Sequence, residues 1–210
     1  QTANGATTLV SGTAADHALL QIDNMTLTDA QTWNCFYAGW DATDATTVTE
    51  ATGIHHPSGD VMKICRENNS PFHQNAAGAA VWYINQWEEG VTEPGSSGSP
   101  LFDQNHRIIG QLYGGAAACS GTNNNGQYDY YGRLGVSWGN GIDAYLAPNS
   151  CGSSTTNDGW DPNTPTAPDD AGISGISSPD GAYCVDNFDP ELTLKNFGAN
   201  ALIAVTINYD

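Results

Sequence analysis

The sequence predicts an all-β protein. Charged residues make up only 13% of the 210 residues, and Gly, Thr, Asn and Ser are frequent, which suits strands and turns better than helices. Short apolar or alternating segments recur between clusters of turn-forming residues. The clearest pair is 100–102 and 108–113, two strand-like segments joined by a polar turn. The length fits one domain plus part of another, or a single large all-β domain.

Further strand candidates recur along the chain, followed by one helix and a linker. The strand candidates are 16–22, 33–40, 46–54, 61–65, 79–84, 130–138, 171–174, 191–194 and 201–209. Residues 142–146 predict a short helix stopped by Pro148. The Ser, Thr, Asn and Pro content of residues 149–168 predicts a linker, with one domain over 1–148 and the start of another over 169–210.

The charge balance excludes some partners. Only five residues are Lys or Arg, and the net charge is −18. Phosphate contacts need basic side chains, so neither a nucleic acid nor an anionic membrane is expected as a partner, whereas basic substrates would be attracted. The sequence contains no run of 18 apolar residues, so no membrane span is predicted.

The cysteines predict an oxidising compartment. Cys35, Cys65, Cys119, Cys151 and Cys184 lack the close pairing of a metal site, and this composition favours a secreted or periplasmic protein with disulfides. The count is odd, so at least one cysteine lacks a partner within the chain. Neither a signal peptide nor an initiator Met is present, and both ends look cut.

The segment from Gly90 to Pro100 carries the clearest chemical signal. A serine hydroxyl becomes a nucleophile when a base takes its proton and preset donors receive the oxyanion. Glycines on both sides of Ser97 allow a tight turn, with Ser97 as nucleophile and the amides of Gly95 and Ser97 as oxyanion donors. Because strands follow and Ser99 replaces a required glycine, a strand–turn–helix nucleophile elbow is disfavoured.

Other polar residues are weaker candidates by themselves. Asp16, at the entrance of a strand, is by itself more typical of a turn than of a catalytic site. His55 and His56 are adjacent and would point to opposite faces of a strand, so they cannot grip a metal together. Ligand spacing for a metal is absent, and no metal or cofactor is predicted.

Several motifs together resemble the secreted bacterial lysyl endopeptidases, a group of chymotrypsin-fold serine endopeptidases. The motifs are Asp16-His17-Ala18-Leu19-Leu20, Ala38-Gly39-Trp40-Asp41, Ile54-His55-His56-Pro57, Gly90 to Pro100, Gly110-Gln111-Leu112-Tyr113-Gly114-Gly115 and Asp129-Tyr130-Tyr131-Gly132-Arg133. The resemblance implies a double β-barrel, with the first barrel incomplete here. It also implies that Asp16 orients the catalytic histidine and that Ser97 is the nucleophile.

The histidine itself has no counterpart in this sequence. In that family it precedes the aspartate by tens of residues, whereas only fifteen residues precede Asp16, and none is His. The sequence therefore predicts a fragment that lacks the N-terminal part of the protease domain and is nearly inactive alone. A pseudoenzyme and a rewired dyad are the alternatives.

The resemblance also implies a pocket for lysine. Asp129 matches the acid that binds the substrate ammonium, although by itself it would read as a solvated loop acid. Gly114 and Gly115 match the pocket wall and the edge strand that pairs with the substrate backbone. Tyr113 replaces a histidine that stacks near the active site, and Trp82 is either its stacking partner or a core residue.

The cysteines and the C-terminal segment extend the resemblance. Cys119 matches a cysteine whose partner lies near the mature N-terminus of the family. Cys35 and Cys65 flank neighbouring strand candidates and can pair with each other, and a bridge between Cys151 and Cys184 across the linker is conceivable. Residues 169–210 resemble part of the Ig-like β-sandwich modules that follow secreted enzymes.

The predicted function is a secreted, monomeric serine endopeptidase that cleaves after lysine, or also after arginine, through an acyl-enzyme. The alternative is a noncatalytic, protease-like binding or adhesion scaffold, which the absent histidine and the acidic, Thr-rich surface favour. Lys63 and Lys195 are the only lysines, and this scarcity would protect a lysine-cutting enzyme from self-digestion.

Overall fold

A computed structural model describes residues 5–45, 47–119, 123–125, 127–147, 154–164, 171–178, 191–196 and 205. The chain forms two compact units, Gln1–Asp161 and Pro162–Asp210. The first unit contains all the residues predicted to form the functional site. None of the helices in the described part of the chain has the length and apolarity needed to cross a membrane.

The described elements are mostly strands. They are β1 Ala6–Gly12, β2 His17–Ile22, β3 Trp40–Asp41, β4 Ala51–His55, β5 Lys63–Glu67, β6 Phe72–Ala76, β7 Ala79–Ile84, β8 Trp87–Glu89, β9 Pro100–Phe102, β10 Ile108–Gly115, β11 Asn123–Asn125, β12 Asp129–Arg133, β13 Thr156–Asn157, β14 Ala171–Ser178 and β15 Glu191–Asn196. The helices are α1 Leu27–Thr32, α2 Leu134–Ser137 and α3 Asp143–Leu146, the last two joined by a wide helical turn over Trp138–Ile142.

One large curled sheet organises the first unit. Its strands follow the order β11-β8-β5-β4-β9-β10-β12-β7-β6, with antiparallel pairing throughout this path. The short β3 joins the side of β10 and also pairs with β13, while β1 and β2 form a separate hairpin. The all-β prediction is confirmed.

The alternation of side chains on these strands builds the core. On β12, Asp129 and Tyr131 are buried while Tyr130 between them is partly exposed. Trp82 on β7 is 2% exposed, and its indole N–H donates to the Ile109 carbonyl at 3.2 Å. Trp82 is therefore a core residue. The main cluster contains Val48, Ala51, Cys65, Trp82, Ile84, Trp87, Leu101, Ile109, Leu112 and Tyr131.

The predicted strand at 33–40 is wrong over most of its length. Thr26 caps helix α1, and its side chain and that of Asp29 form a reciprocal capping box. After the helix, Asn34 adopts a φ of 54°, and the chain turns instead of extending. Only Trp40 and the following residue form a strand, β3.

The strand predicted at 130–138 is shorter in the structure, where it corresponds to β12. It ends at Arg133, whose guanidinium pairs with Asp44, and the chain then turns into helix α2. Leu134 and Ile142 bury their side chains against Ala42 in a second core cluster. Burial of these two side chains favours the helical segment over a longer strand. The predicted helix at 142–146 is confirmed as the end of this helical segment.

The segment predicted as a linker contains described residues that pair with the first unit. Thr156 and Asn157 form β13 against β3, and Trp160 bridges Tyr37 through two backbone hydrogen bonds of 2.8 Å. In the second unit, β14 and β15 pair antiparallel, which confirms the predicted strands there. The candidate at 201–209 lies outside the described residues, apart from Val205.

The described cysteines, Cys35, Cys65 and Cys119, are free. The predicted Cys35–Cys65 bridge is therefore wrong. Cys65 points from β5 into the core, where its thiol lies 3.7 Å from the Gly53 carbonyl. Burial raises the pKa of this thiol far above its usual range, so it is inert. Cys151 and Cys184 lie outside the described residues.

Candidate active site

The Ser97 side chain lies on an exposed turn between β8 and β9. Gly95 and Gly98 have φ values of +97° and +82°, which favour glycine over any residue with a side chain. The Ser96 N–H closes a tight turn by donating to the Glu93 carbonyl at 3.0 Å. The turn leaves Ser97 exposed to solvent, while its neighbour Ser96 is buried.

The N–H groups of Gly95 and Ser97 remain available in this turn. Within the described residues, no carbonyl or side chain accepts a hydrogen bond from either of them. The Gly98 N–H, in contrast, donates to the Leu112 carbonyl at 2.8 Å. Two unengaged N–H groups on one tight turn are what an oxyanion hole requires. The geometry is compatible with the predicted role, which stays a prediction.

The two segments that carry Asp16 and Ser97 form hydrogen bonds to neighbouring residues of β10. The side-chain amide of Gln111 donates to the Ala15 carbonyl at 2.7 Å and lies 3.3 Å from the Asp16 carbonyl. The next residue, Leu112, accepts from the N–H that follows Ser97. One strand therefore holds two segments that are far apart in sequence. Asp16 is exposed and has a φ of 47°, a conformation that aspartate tolerates better than most residues.

No histidine in the described part of the chain hydrogen-bonds to Ser97. Instead, His55 contacts Ser96, His56 contacts the Asp60 carbonyl, His73 lies 3.7 Å from Asp44, His17 is buried without a partner, and His106 lies exposed in a turn. The turn therefore presents an exposed serine and free amides, and none of the described histidines contacts this serine.

A buried contact between His55 and Ser96 was not predicted from the sequence. The His55 Nδ1 lies 2.8 Å from the Ser96 hydroxyl, and the ring is 2% exposed. Burial, aided by the neighbouring His56, lowers the pKa of His55. The contact supports the turn from behind, because Ser96 immediately precedes the exposed serine. No sequence signal identifies it, since Ser96 is one of three serines in the motif.

We expect acid to destabilise the protein partly through His55. Below about pH 6.5 the unfolded chain takes up a proton that the buried ring resists, so the free energy of unfolding falls as pH falls. The substitution His55→Asn should reduce this fall between pH 7 and pH 5, measured by urea unfolding. His106→Asn removes an exposed ring and serves as control. An equal pH dependence in both variants would contradict the assignment.

Asp129 is a buried carboxylate rather than a solvated loop acid. It is 1% exposed, and its Oδ2 accepts hydrogen bonds from the Trp87 indole at 2.7 Å and the Thr92 hydroxyl at 2.6 Å. Burial raises the pKa of Asp129 to about 6, although these bonds and one from the Ala117 N–H act against that rise. Trp87 and Thr92 were not predicted from the sequence.

No basic side chain in the described part of the first unit neutralises Asp129. The first unit contains four Lys and Arg residues, and each pairs elsewhere: Lys63 with Asp60 at 3.4 Å, Arg66 with Glu89 at 3.6 Å, Arg107 with Asp158 at 2.6 Å and Arg133 with Asp44 at 2.5 Å. A buried charge without a counterion is costly unless an external cation completes it. The chemistry of Asp129 therefore suits a cationic ligand.

Gly114 and Gly115 lie beside Asp129 at the end of β10. A Cβ on Gly115 would overlap the Asp129 carboxylate, and one on Gly114 would lie 3.0 Å from the Tyr130 hydroxyl. On the other side, β9 pairs only with Ile108–Gln111, so no described strand pairs with that edge at these glycines. Tyr113 is anchored by a 3.2 Å bond from its hydroxyl to the Ala77 carbonyl. The arrangement offers an open strand edge next to a buried acid.

Metal binding is a separate question. No group of three or more His, Cys, Asp or Glu side chains in the described ranges is arranged to hold a metal ion.

Comparison with known proteins gives one family and several relatives. A sequence model of the lysyl endopeptidase C-terminal domain matches residues 1–132. The lysyl endopeptidase of Pseudomonas aeruginosa is 33% identical over 117 residues, which cover 54% of this chain and 25% of that protein. The Rv3671c protease of Mycobacterium tuberculosis matches in its active form with a TM-score of 0.45 and 18% identity, over 68% of this chain and 58% of that one. Its inactive form gives a TM-score of 0.44 and 17% identity, over 68% and 66%.

The strand architecture, the exposed serine turn and the match to the family model define a protease-related β protein. Because the family model covers more than half of its residues, the chain belongs to the lysyl endopeptidase C-terminal domain family. The chain spans about a quarter of the length of the curated relative that it matches.

Proposed function

We propose that this chain is part of a serine endopeptidase that cleaves peptide bonds after lysine through an acyl-enzyme. Ser97 attacks the carbonyl carbon, and the amides of Gly95 and Ser97 hold the oxyanion. Asp16 orients the base. Asp129 receives the substrate ammonium, while Gly114 and Gly115 pair with the substrate backbone. The main support is the buried, uncompensated carboxylate of Asp129 beside an open strand edge.

The proposed base is a histidine from outside residues 1–210. This follows from the family pattern together with the partners of the described histidines, none of which is Ser97. In the acylation step this histidine takes the proton of the Ser97 hydroxyl and passes it to the leaving amine. Water then attacks the acyl-enzyme, and the serine recovers its proton.

The substitution Ser97→Ala in the full-length protein is expected to reduce kcat on lysyl amide substrates by about 10⁴-fold or more. Ser99→Ala is the matched control, because the Ser99 hydroxyl is buried and has no hydrogen-bond partner in the described structure. Its activity should stay near the wild-type value. Amide substrates with Lys, Arg and Leu before the cleaved bond are compared in the same assay. Equal turnover of all three, or turnover unchanged in Ser97→Ala, would contradict the proposal.

The same proposal has four further parts. We propose that the full-length protein is secreted, contains disulfide bonds and is a monomer, and that residues 169–210 are part of an Ig-like module. The free Cys119 is exposed and is available to a cysteine outside the described residues. Mass spectrometry of the purified full-length protein under nonreducing conditions would test that bridge.

A noncatalytic binding scaffold is the second candidate, because no described base contacts Ser97. A phosphonate probe of serine nucleophiles separates the two functions in the full-length protein. Stoichiometric labelling at Ser97 supports the endopeptidase, and absence of labelling supports the scaffold.

A further inference from the structure

One peptide unit of the serine turn, between Pro94 and Gly95, is held from outside that turn. Its carbonyl, on Pro94, accepts a hydrogen bond of 2.8 Å from the N–H of Ser58. Its other end is the Gly95 N–H, one of the two proposed oxyanion donors, from which no group in the described residues accepts. Ser58 lies in the short turn Pro57–Gly59 between β4 and β5, so the bond joins the serine turn to a separate part of the sheet.

The geometry of a peptide unit links its two ends. A trans peptide is planar, so its C=O and N–H point in opposite directions. Glycine tolerates a wide range of φ, and the Pro94–Gly95 unit could otherwise rotate as a whole and turn its N–H away. With the Pro94 carbonyl bound to Ser58, such a rotation breaks a hydrogen bond. The bond therefore fixes the direction of the Gly95 N–H, and it also polarises the unit so that this N–H is a stronger donor.

The backbone of Ser58 is strained in a way that serves this bond. Ser58 has a φ of 52° and a ψ of 24°, in the left-handed region that serine rarely occupies. The Asp60 N–H closes the turn around it by donating to the Pro57 carbonyl at 2.8 Å. Strain of this kind persists where surrounding contacts impose it, and it is concentrated at functional sites. Here the strained residue is the one whose N–H leaves its own turn and reaches Pro94.

The two turns also fit closely against each other. A Cβ on Gly95 would lie 3.0 Å from the Ser58 nitrogen and 3.6 Å from the His56 carbonyl oxygen. The 2.8 Å contact between His55 and the Ser96 hydroxyl ties the same two segments together a second time. The serine turn therefore rests on the segment that follows β4.

The second proposed donor needs no such support. The Ser97 N–H shares a peptide unit with the Ser96 carbonyl, which accepts from the Ser99 N–H at 3.1 Å. Both proposed donors thus have a bound carbonyl at one end of the peptide unit and a free N–H at the other. The anchor of the Ser97 unit lies within the serine turn, whereas that of the Gly95 unit comes from Ser58.

We infer that Ser58 is a positioning residue for the proposed reaction, and that its N–H holds the Pro94–Gly95 unit so that the Gly95 N–H is free to receive the oxyanion. Ser58 itself does not touch the substrate. The inference rests on the proposed endopeptidase function, in which the Gly95 N–H is an oxyanion donor. Without the anchor, the unit rotates and this donor is lost for part of the time.

The substitution Ser58→Pro tests the anchor, because proline has no N–H and imposes a φ of about −65°. We expect the NMR order parameter of the Gly95 amide in the 210-residue chain to fall from about 0.85 to below about 0.6. In the full-length protein, kcat on lysyl amide substrates should fall about 100-fold with little change in KM, as for the loss of one oxyanion donor.

Two further variants separate the anchor from general damage at this position. Ser58→Gly keeps the N–H and suits the left-handed conformation, so it should keep the order of Gly95 and hold kcat within about twofold of the wild-type value. Ser58→Val keeps the N–H but disfavours that conformation, so it should show both losses to a smaller degree. Thermal unfolding confirms that each variant is folded, and Ser58→Val decides the test where Ser58→Pro does not fold.

His106→Pro is the matched control. His106 also has a positive φ, 60°, and its N–H donates to the Asp103 carbonyl at 3.0 Å, but this bond lies within the turn between β9 and β10. The variant should lose stability while kcat and the order of Gly95 stay unchanged. A Gly95 amide that stays ordered in Ser58→Pro, or a kcat within about threefold of the wild-type value, overturns the inference. An unsubstituted full-length protein that cleaves no lysyl amide contradicts the proposed function instead, and the order of Gly95 still shows whether Ser58 holds the peptide unit.

Discussion

The substitution Asp129→Asn is expected to abolish selectivity for lysine in the full-length protein. Removing one partner of a buried charge pair costs about 2–5 kcal/mol, which corresponds to roughly 30- to 4000-fold in kcat/KM for lysyl substrates. The Asp129 carboxylate is fully enclosed, and its own bonds to Trp87 and Thr92 leave its charge uncompensated. Substrates with Leu at the same position should lose much less.

The pH dependence provides an independent test of the same residue. The pKa of Asp129 is about 6, so the carboxylate of the free enzyme is protonated as pH falls through that value. The ratio of kcat/KM for lysyl and leucyl substrates should decline below about pH 6, because kcat/KM reports the free enzyme. The ratio cancels the titration of the catalytic base, which both substrates share. A ratio that stays constant from pH 8 to pH 5 would contradict the assignment.

Asp129→Asn should also change the stability of the 210-residue chain, with a sign that depends on pH. The folded pKa of about 6 lies above the unfolded value near 4, so wild-type stability falls as pH rises between these values. Above pH 6 this cost is about 3 kcal/mol. The amide avoids the charge but loses one hydrogen bond of about 1 kcal/mol. We therefore expect the variant to be more stable by about 1–2 kcal/mol at pH 7, and no more stable at pH 4.

Urea unfolding at both pH values measures this difference. Asp103→Asn is the control, because Asp103 is also buried, at 5% exposure, but binds the backbone amides of its own turn. That variant should lose stability at pH 7 and keep the selectivity for lysine. Three histidines also have a lowered pKa: His17, His55 and His73. They are the same in the wild-type protein and in the Asp129→Asn variant, so the difference in stability between the two proteins reports on Asp129 alone.

Local patterns in the sequence predicted the parts of the fold that depend on local forces. The alternation around 79–84 and the polar turn after Phe102 predicted β7, β9 and β10, because alternating burial on a sheet leaves a direct mark in the sequence. The aromatic run at 33–40 was misleading. There a capping box at Thr26 starts a helix, and the following residues turn.

In the candidate site, too, the sequence reveals the features that depend on local structure but not the long-range contacts. The glycines around Ser97 mark a tight turn directly, since the positive φ values at Gly95 and Gly98 restrict those positions. The contacts that hold the site are long-range, and sequence gives no sign of them. His55 reaches Ser96, and both Trp87 and Thr92 reach Asp129. Such contacts depend on strand register, which only the folded sheet specifies.

Among the glycines of the described residues, Gly132 is expected to give the largest loss of stability when it is replaced by alanine. A Cβ on Gly132 would overlap the Ala15 carbonyl oxygen and lie 2.5 Å from the Gln111 side-chain nitrogen. Both neighbours are constrained, since Ala15 is fully buried and Gln111 belongs to β10. Overpacking against fixed backbone costs about 3 kcal/mol or more. Urea unfolding of the 210-residue chain measures this cost.

Gly139→Ala is the matched control, because a Cβ there has no neighbour within 4 Å. It should leave the unfolding midpoint unchanged or raise it slightly, as alanine is the better helix former. Equal midpoints for the two variants would contradict the close approach at Gly132.

The same contact positions Asp16, which gives Gly132→Ala a consequence beyond stability. The added methyl displaces the Ala15 carbonyl and breaks its 2.7 Å bond to Gln111, so the segment that carries Asp16 loses its anchor on β10. Gln111→Ala removes that bond without overpacking. In the full-length protein we expect Gln111→Ala to lower kcat about tenfold or more with little change in KM, because misplaced catalytic groups weaken transition-state stabilisation. A change in KM alone would mean that Gln111 contributes to substrate binding and that Asp16 is positioned by other contacts.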